Sequence, residues 1–148
     1  MLLDLGNSPA VVFPRWVAAK NESDIQLHVY ADTSKHACCA VASIRVGDAE
    51  CAAVSMLFAK VRLAPKEITI PRLELLAVLI AARIVTFLAK ELAIQFSRNV
   101  LWTDSKCALH WLRSVKVLSV FVANRLKEIR RVRTWNFVMC PLATTVLI

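Results

Sequence analysis

Apolar positions along this chain fall into two periodicities. Three early runs, at 25–31, 37–46 and 50–63, are of strand length and rich in Val, Ile, Ala and Cys. Gly47-Asp48 separates the second from the third and reads as a hairpin turn, so the chain opens as a three-stranded antiparallel meander. Pro65 and Pro71 then bracket a loop. Pro71 suits the first turn of a helix, where its missing N–H costs nothing, with Thr69 or Ile70 as the cap. From Pro71 to about Glu91 the apolar residues run nearly all the way round, which predicts a helix buried on most sides. A short apolar run at 100–103 predicts a fourth strand, and Asp104-Ser105 opens a helix over 106–113. An amphipathic, basic stretch at 117–131 predicts a third helix, and 135–138 a fifth strand. The order β-β-β-α-β-α-α-β implies an α/β domain of the α+β kind, a mixed sheet with helices packed against it. Residues 1–24, with Gly6, Pro9 and Pro14 and no sustained period, read as a connector. Residues 25–139 read as the domain, and 140–148 as a divergent tail.

The length of 148 residues suits one domain. A hydrophobic share of 57% is high, which implies strands buried on both faces, a surface meant for a partner, or a fragment. The 17-residue stretch 73–89 could be taken for a membrane span. Glu74 and Arg83 within it, and its short length, point instead to a buried helix. The start of the chain lacks the basic and apolar regions of a signal peptide, so an intracellular protein, cytoplasmic or nuclear, is expected. The five cysteines, Cys38, Cys39, Cys51, Cys107 and Cys140, form no CxxC. Cys38 and Cys39 are adjacent and would face opposite sides of a strand, so reduced and mostly buried thiols are expected. The net charge of +8 favours a polyanion partner, chiefly nucleic acid. Arg125, Lys127, Arg130, Arg131 and Arg133 would form a broad positive helix face, for phosphate or simply for solvent. His28, His36 and His110 are not spaced as zinc ligands, and His28 and His110 read as partly buried packing residues. Trp102, Trp111 and Trp135 read as core fillers.

Only 11 residues are acidic, and three of them stand at element junctions. Asp32 ends the first apolar run, Asp104 ends the fourth strand, and Glu74 lies in the first turn of the long helix. Each alone has an ordinary explanation, as a turn residue, a helix cap or a partner for the helix dipole. Together, carboxylates at strand ends and on an adjacent helix make the donor set of a divalent-metal phosphodiesterase.

The surroundings of these acids resemble a known family. Tyr30-Ala31-Asp32-Thr33-Ser34, Pro71-Arg72-Leu73-Glu74-Leu75 and Trp102-Thr103-Asp104-Ser105 match the ribonuclease H family in order and context. Leu27-His28-Val29-Tyr30-Ala31-Asp32, Ala59-Lys60-Val61-Arg62-Leu63-Ala64-Pro65, Ile70-Pro71-Arg72-Leu73-Glu74-Leu75 and Leu109-His110-Trp111-Leu112 are closer still to the ribonuclease H-like domain of BEL/Pao retrotransposon polyproteins. Phe121-Val122-Ala123-Asn124-Arg125 and an upstream Pro14-Arg15-Trp16 continue the likeness, which covers about residues 12–139. The resemblance implies two Mg²⁺ ions held by Asp32, Glu74 and Asp104, with Asp32 bridging them. It also implies hydrolysis of the RNA strand of an RNA–DNA hybrid. Ser34, Ser105 and Arg72 would touch the substrate, and a reverse-transcriptase domain would precede this one in the polyprotein. The family completes its site with a fourth acid in an Asn-Pro-Ala-Asp motif on a last helix. Here no acid follows Glu128, so a C-terminally truncated domain without that helix is expected, with activity in question or only nucleic-acid binding left. The family has also carried a peptidase label, and Asp32-Thr33-Ser34 brushes an aspartic-peptidase signature. That turn needs Gly where position 34 is Ser, and the chain's two glycines, Gly6 and Gly47, supply no second motif.

Overall fold

The computed structural model describes residues 24–47, 52–92, 94–132 and 135–140. Five strands form one sheet: β1 (Ile25–Thr33), β2 (Ala37–Val46), β3 (Ala53–Leu63), β4 (Arg98–Thr103) and β5 (Trp135–Met139). Three helices accompany them: α1 (Ile70–Glu91), α2 (Lys106–Arg113) and α3 (Val120–Ile129). The spatial order is β3-β2-β1-β4-β5. β1, β2 and β3 pair antiparallel, as short connections allow. β4 lies parallel to β1, and β5 parallel to β4, each reached through helices. The predicted element order and the mixed sheet are both present.

Strand alternation decides which side of the sheet is covered. Leu27, Val29 and Ala31 of β1 and Cys38, Ala40 and Ala42 of β2 are buried against α1. Small residues meet there: Ala40 and Ala42 from the sheet, Ala77 and Ala81 from the helix, which lets the two backbones approach closely. α3 packs on α1 through Val122, Leu126 and Ile129. A two-pronged ion pair spans the same joint, with Arg83 Nε and Nη2 donating to Glu128 Oε1 and Oε2 at 2.7 and 3.0 Å. Among the described residues no helix is long and apolar enough to cross a membrane.

Several expectations need correction. α1 starts at Ile70, with Thr69 as its N-cap and Pro71 in the first turn, so Glu74 falls beyond that turn and the helix dipole does not account for it. Its cap uses the Thr69 carbonyl, which accepts from Arg72 N and Leu73 N, and no side-chain bond. β1 runs on through Thr33, which puts Asp32 inside the strand. α3 is shorter than its periodicity suggested, because 117–119 form the approach to the helix. The β2–β3 connection is longer than a two-residue turn, since Val46 pairs with Ala53. Gly47 takes φ 113° there, a value that favours glycine. Of the cysteines, only Cys38 among those described is buried; Cys107 and Cys140 are exposed. His110 is exposed as well. Trp102 faces away from α1, stacked between His28 and Tyr30, and its indole N–H donates to His28 Nδ1 at 3.0 Å. The connector, apart from Asp24, Asp48 of the turn, residue Cys51 and residues 141–148 of the tail lie outside the described residues.

Candidate active site

The parallel pairing of β1 with β4 brings two of the acids to one end of the sheet. Tyr30 is registered with Trp102, and two further residues along each chain stand Asp32 and Asp104. Neighbouring strands lie about 4.8 Å apart, so the backbones of these two acids are near one another. Both side chains are exposed. One Asp32 carboxylate oxygen accepts from the Thr33 N–H at 2.7 Å, which steadies it and leaves the other oxygen open.

Glu74 reaches the same end from α1. Ser105 Oγ donates to Glu74 Oε2 at 2.5 Å, which ties the helix carboxylate to the residue beside Asp104. Ser105 is 2% exposed and is the N-cap of α2, accepting from Ala108 N at 2.9 Å, while its own N–H donates to Thr103 Oγ1. The expectation that Ser105 touches substrate must therefore be set beside its position: its hydroxyl is enclosed and engaged with Glu74 and α2. Ser34 is exposed and builds the β1–β2 turn, its Oγ accepting from the N–H groups of His36 and Ala37 at 3.2 and 3.1 Å. Arg72 is exposed, with its guanidinium 5.1 Å from the Phe121 ring centre.

Two threonines escaped the sequence reading. Thr33 Oγ1 donates within the turn to the Ala37 carbonyl, and Thr103 holds Ser105. Nothing in the sequence separates such threonines from ordinary strand residues. Cys38 joins the same framework, its thiol directed at the Leu73 carbonyl at 3.6 Å, beside Glu74. Next to the turn, a cleft of about 490 Å³ lies between Lys35, Lys66, Glu67 and Thr69, the N-cap of α1. A basic groove of about 670 Å³ runs along α3 past Lys116, Lys127 and Arg131. Of the predicted basic face, Arg133 lies outside the described residues, and the rest is only partly available. Arg130 is spent on the carbonyls of Trp111, Leu112 and Ser114 at the end of α2, and Arg125 lies over the Phe121 ring at 3.5 Å.

The donors at the strand ends are carboxylate oxygens, the class that Mg²⁺ selects, and an Mg²⁺ ion commonly takes one or two of them with water and substrate phosphate. Asp32 and Asp104 suit that role. Glu74 is turned toward Ser105 in this conformation, and among the described residues no three of the His, Cys, Asp and Glu side chains are grouped to hold a metal ion. Glu128, the last acid of the chain, is engaged by Arg83, whose hydrogen bonds hold its carboxyl below the usual range.

Comparison with known proteins agrees with this architecture. The RNase H1 of the halophilic archaeon Halobacterium salinarum NRC-1 superposes with a TM-score of 0.56 at 16% identity, covering 80% of this chain and 88% of that one. LC11-RNase H1 in complex with an RNA/DNA hybrid gives 0.52 at 14% identity, covering 80% and 86%. LC11-RNase H1 isolated from compost gives 0.51 at 17%, covering 80% and 85%. These likenesses establish the fold. A search among curated proteins finds no match. The family model of the Pao retrotransposon-like RNaseH-like domain matches residues 4–105, more than half of the chain and a span that holds Asp32, Glu74 and Asp104. The chain belongs to the Pao retrotransposon-like RNaseH-like domain family.

Proposed function

We propose that this domain hydrolyses the RNA strand of RNA–DNA hybrids in a Mg²⁺-dependent reaction, as one part of a retrotransposon polyprotein that also carries a reverse transcriptase. The observation that carries this reading is the alignment of Asp32 and Asp104 on adjacent parallel strand ends, with Glu74 hydrogen-bonded to Ser105, the residue next to Asp104. Asp32, Asp104 and Glu74 would hold the metal. When bound, Mg²⁺ supplies charge neutralisation at the phosphate and acidifies a bound water. The protein's own contribution is positional. The Thr33 N–H orients Asp32, and Ser105 orients Glu74 from a buried site. Lys35 and Lys66, at the rim of a cleft that Glu67 also lines, would meet the phosphate backbone.

The test is cleavage of a labelled RNA–DNA hybrid with Mg²⁺, with single-stranded RNA and duplex DNA as controls. Cutting confined to the hybrid RNA strand, and lost in Asp32→Asn, is the expected result. Turnover that survives Asp32→Asn and Asp104→Asn would remove these residues from the chemistry.

A second reading is a nucleic-acid-binding domain without catalysis. It draws support from the missing three-acid grouping among the described residues. Salt-sensitive hybrid binding with no cleavage at any Mg²⁺ concentration would select it. Proteolysis inhibited by pepstatin would be needed to revive a peptidase reading.

A further inference from the structure

The sheet has an uneven pair of edges. β5 is 5 residues long, whereas β3 has 11 residues and, among the described residues, is an edge hydrogen-bonded to β2 on one side only. A long exposed edge offers a row of backbone donors and acceptors to any extended segment. The two rows of side chains on β3 differ in character. Register with Ala37, Cys39, Ser43 and Arg45 of β2 puts Leu63, Val61, Met56 and Val54 on the face away from α1. They are 87, 64, 51 and 66% exposed, so an apolar stripe lies open to water. Register with the buried Cys38, Ala40 and Ala42 puts Arg62, Lys60 and Phe58 on the face toward α1. There they border a groove of about 290 Å³ with Ile84 and Phe87, where the Phe58 and Phe87 rings lie 5.5 Å apart. Among the described residues neither Lys60 nor Arg62 has an acidic partner; Arg83, at the same groove, is held by Glu128.

We infer that β3 is a docking edge for an extended acidic peptide segment of a partner protein, added as a sixth strand. Such a strand alternates its side chains as β3 does on either side of its irregularity at Leu57. Apolar residues would cover Val54, Met56, Val61 and Leu63 on one face, and acidic residues would meet Lys60 and Arg62 on the other. An aliphatic side chain beside them fits the groove that Phe58, Ile84 and Phe87 line. Charge decides against a second copy as occupant. This chain carries a net +8, and pairing β3 with itself would bring two such edges together with no compensating acids on the strand. Edge lysines oppose self-pairing for that reason while leaving the edge open to an acidic strand.

The experiment is titration of the full chain with a fluorescent peptide of alternating valine and glutamate, alongside a valine–lysine peptide of the same length. Backbone amide exchange on β3 is followed by mass spectrometry. The expected result is saturable, salt-sensitive binding of the glutamate peptide alone, with slowed exchange confined to β3. The double variant Lys60→Glu with Arg62→Glu should reverse the preference, weakening the glutamate peptide by at least about tenfold while the lysine peptide binds. Unchanged circular dichroism of that variant keeps the comparison sound. Absence of binding overturns the proposal. So does concentration-dependent dimerisation that protects β3, which would make a second copy the occupant. Displacement of the glutamate peptide from β3 by an RNA–DNA hybrid would make nucleic acid the occupant. Hybrid cleavage is measured in parallel through Asp32→Asn, so failure here leaves the nuclease reading standing, and the reverse.

Discussion

At the residue scale, the candidate site rests on ordinary side chains placed in unusual company. Ser105 is the clearest case, since one hydroxyl serves as the α2 cap and as the partner of Glu74. Ser105→Ala should lower stability by about 1–2 kcal/mol, through the lost cap and the orphaned carboxylate, and Ser105→Thr should restore most of it. Thermal melts followed by circular dichroism measure both. His28 gives a second test. Burial first, then Arg45 and Arg98, lower its pKa from the ordinary 6.5, and Trp102 donates to its Nδ1. The fold thus prefers neutral His28, and the unfolded chain takes up the proton first. Stability from this source is complete above about pH 6.5 and is lost as pH falls below it toward the lowered folded value. Melts from pH 7.5 to 5.5 should show a decline that His28→Gln flattens; an unflattened decline would assign the effect to other groups. The sequence marked His28 as a packing residue but held no sign of its indole partner 74 residues away.

At the element scale, the long helix organises everything around it. α1 carries Glu74 on one side, the sheet core on another and α3 on a third. Leu126 of α3 is buried in the joint with α1, so Leu126→Ala should cost about 2–5 kcal/mol, seen as a lower urea midpoint. Element identity was legible throughout, because strand runs and the helical run differ in length and period. The ends were less so. Ile70 joins α1 because Thr69 caps it through its carbonyl, and three residues before α3 that look helical in pattern form its approach. The basic stretch 125–131 illustrates the difference between composition and use. Arg130 closes the end of α2 and Arg125 lies over Phe121, which leaves Lys127 and Arg131 with Lys116 facing a groove.

At the scale of the whole molecule, a net charge of +8 and, among the described residues, a long sheet edge are the features that the proposed partners would use. If hybrid binding uses the groove on α3, Lys127→Ala or Lys116→Ala should each lower the log–log salt dependence of binding by about 1, uniformly across sequences, in polarisation titrations. A larger loss confined to particular sequences would point to base contacts instead. The sequence by itself determined the element order and the family and singled out three acids as candidates, because period, turn residues and short motifs are local properties of the chain. Tertiary structure alone decided that Asp32 and Asp104 share a sheet end, since that follows from the parallel register of β1 with β4. It decided that Ser105 is enclosed with Glu74 and that Arg130 is a structural residue, since both depend on partners 16 to 31 positions distant. It also decided which strand is left as the long edge. Alternation shows a strand's two faces, but only assembly of the sheet determines which of its two sides has a neighbour.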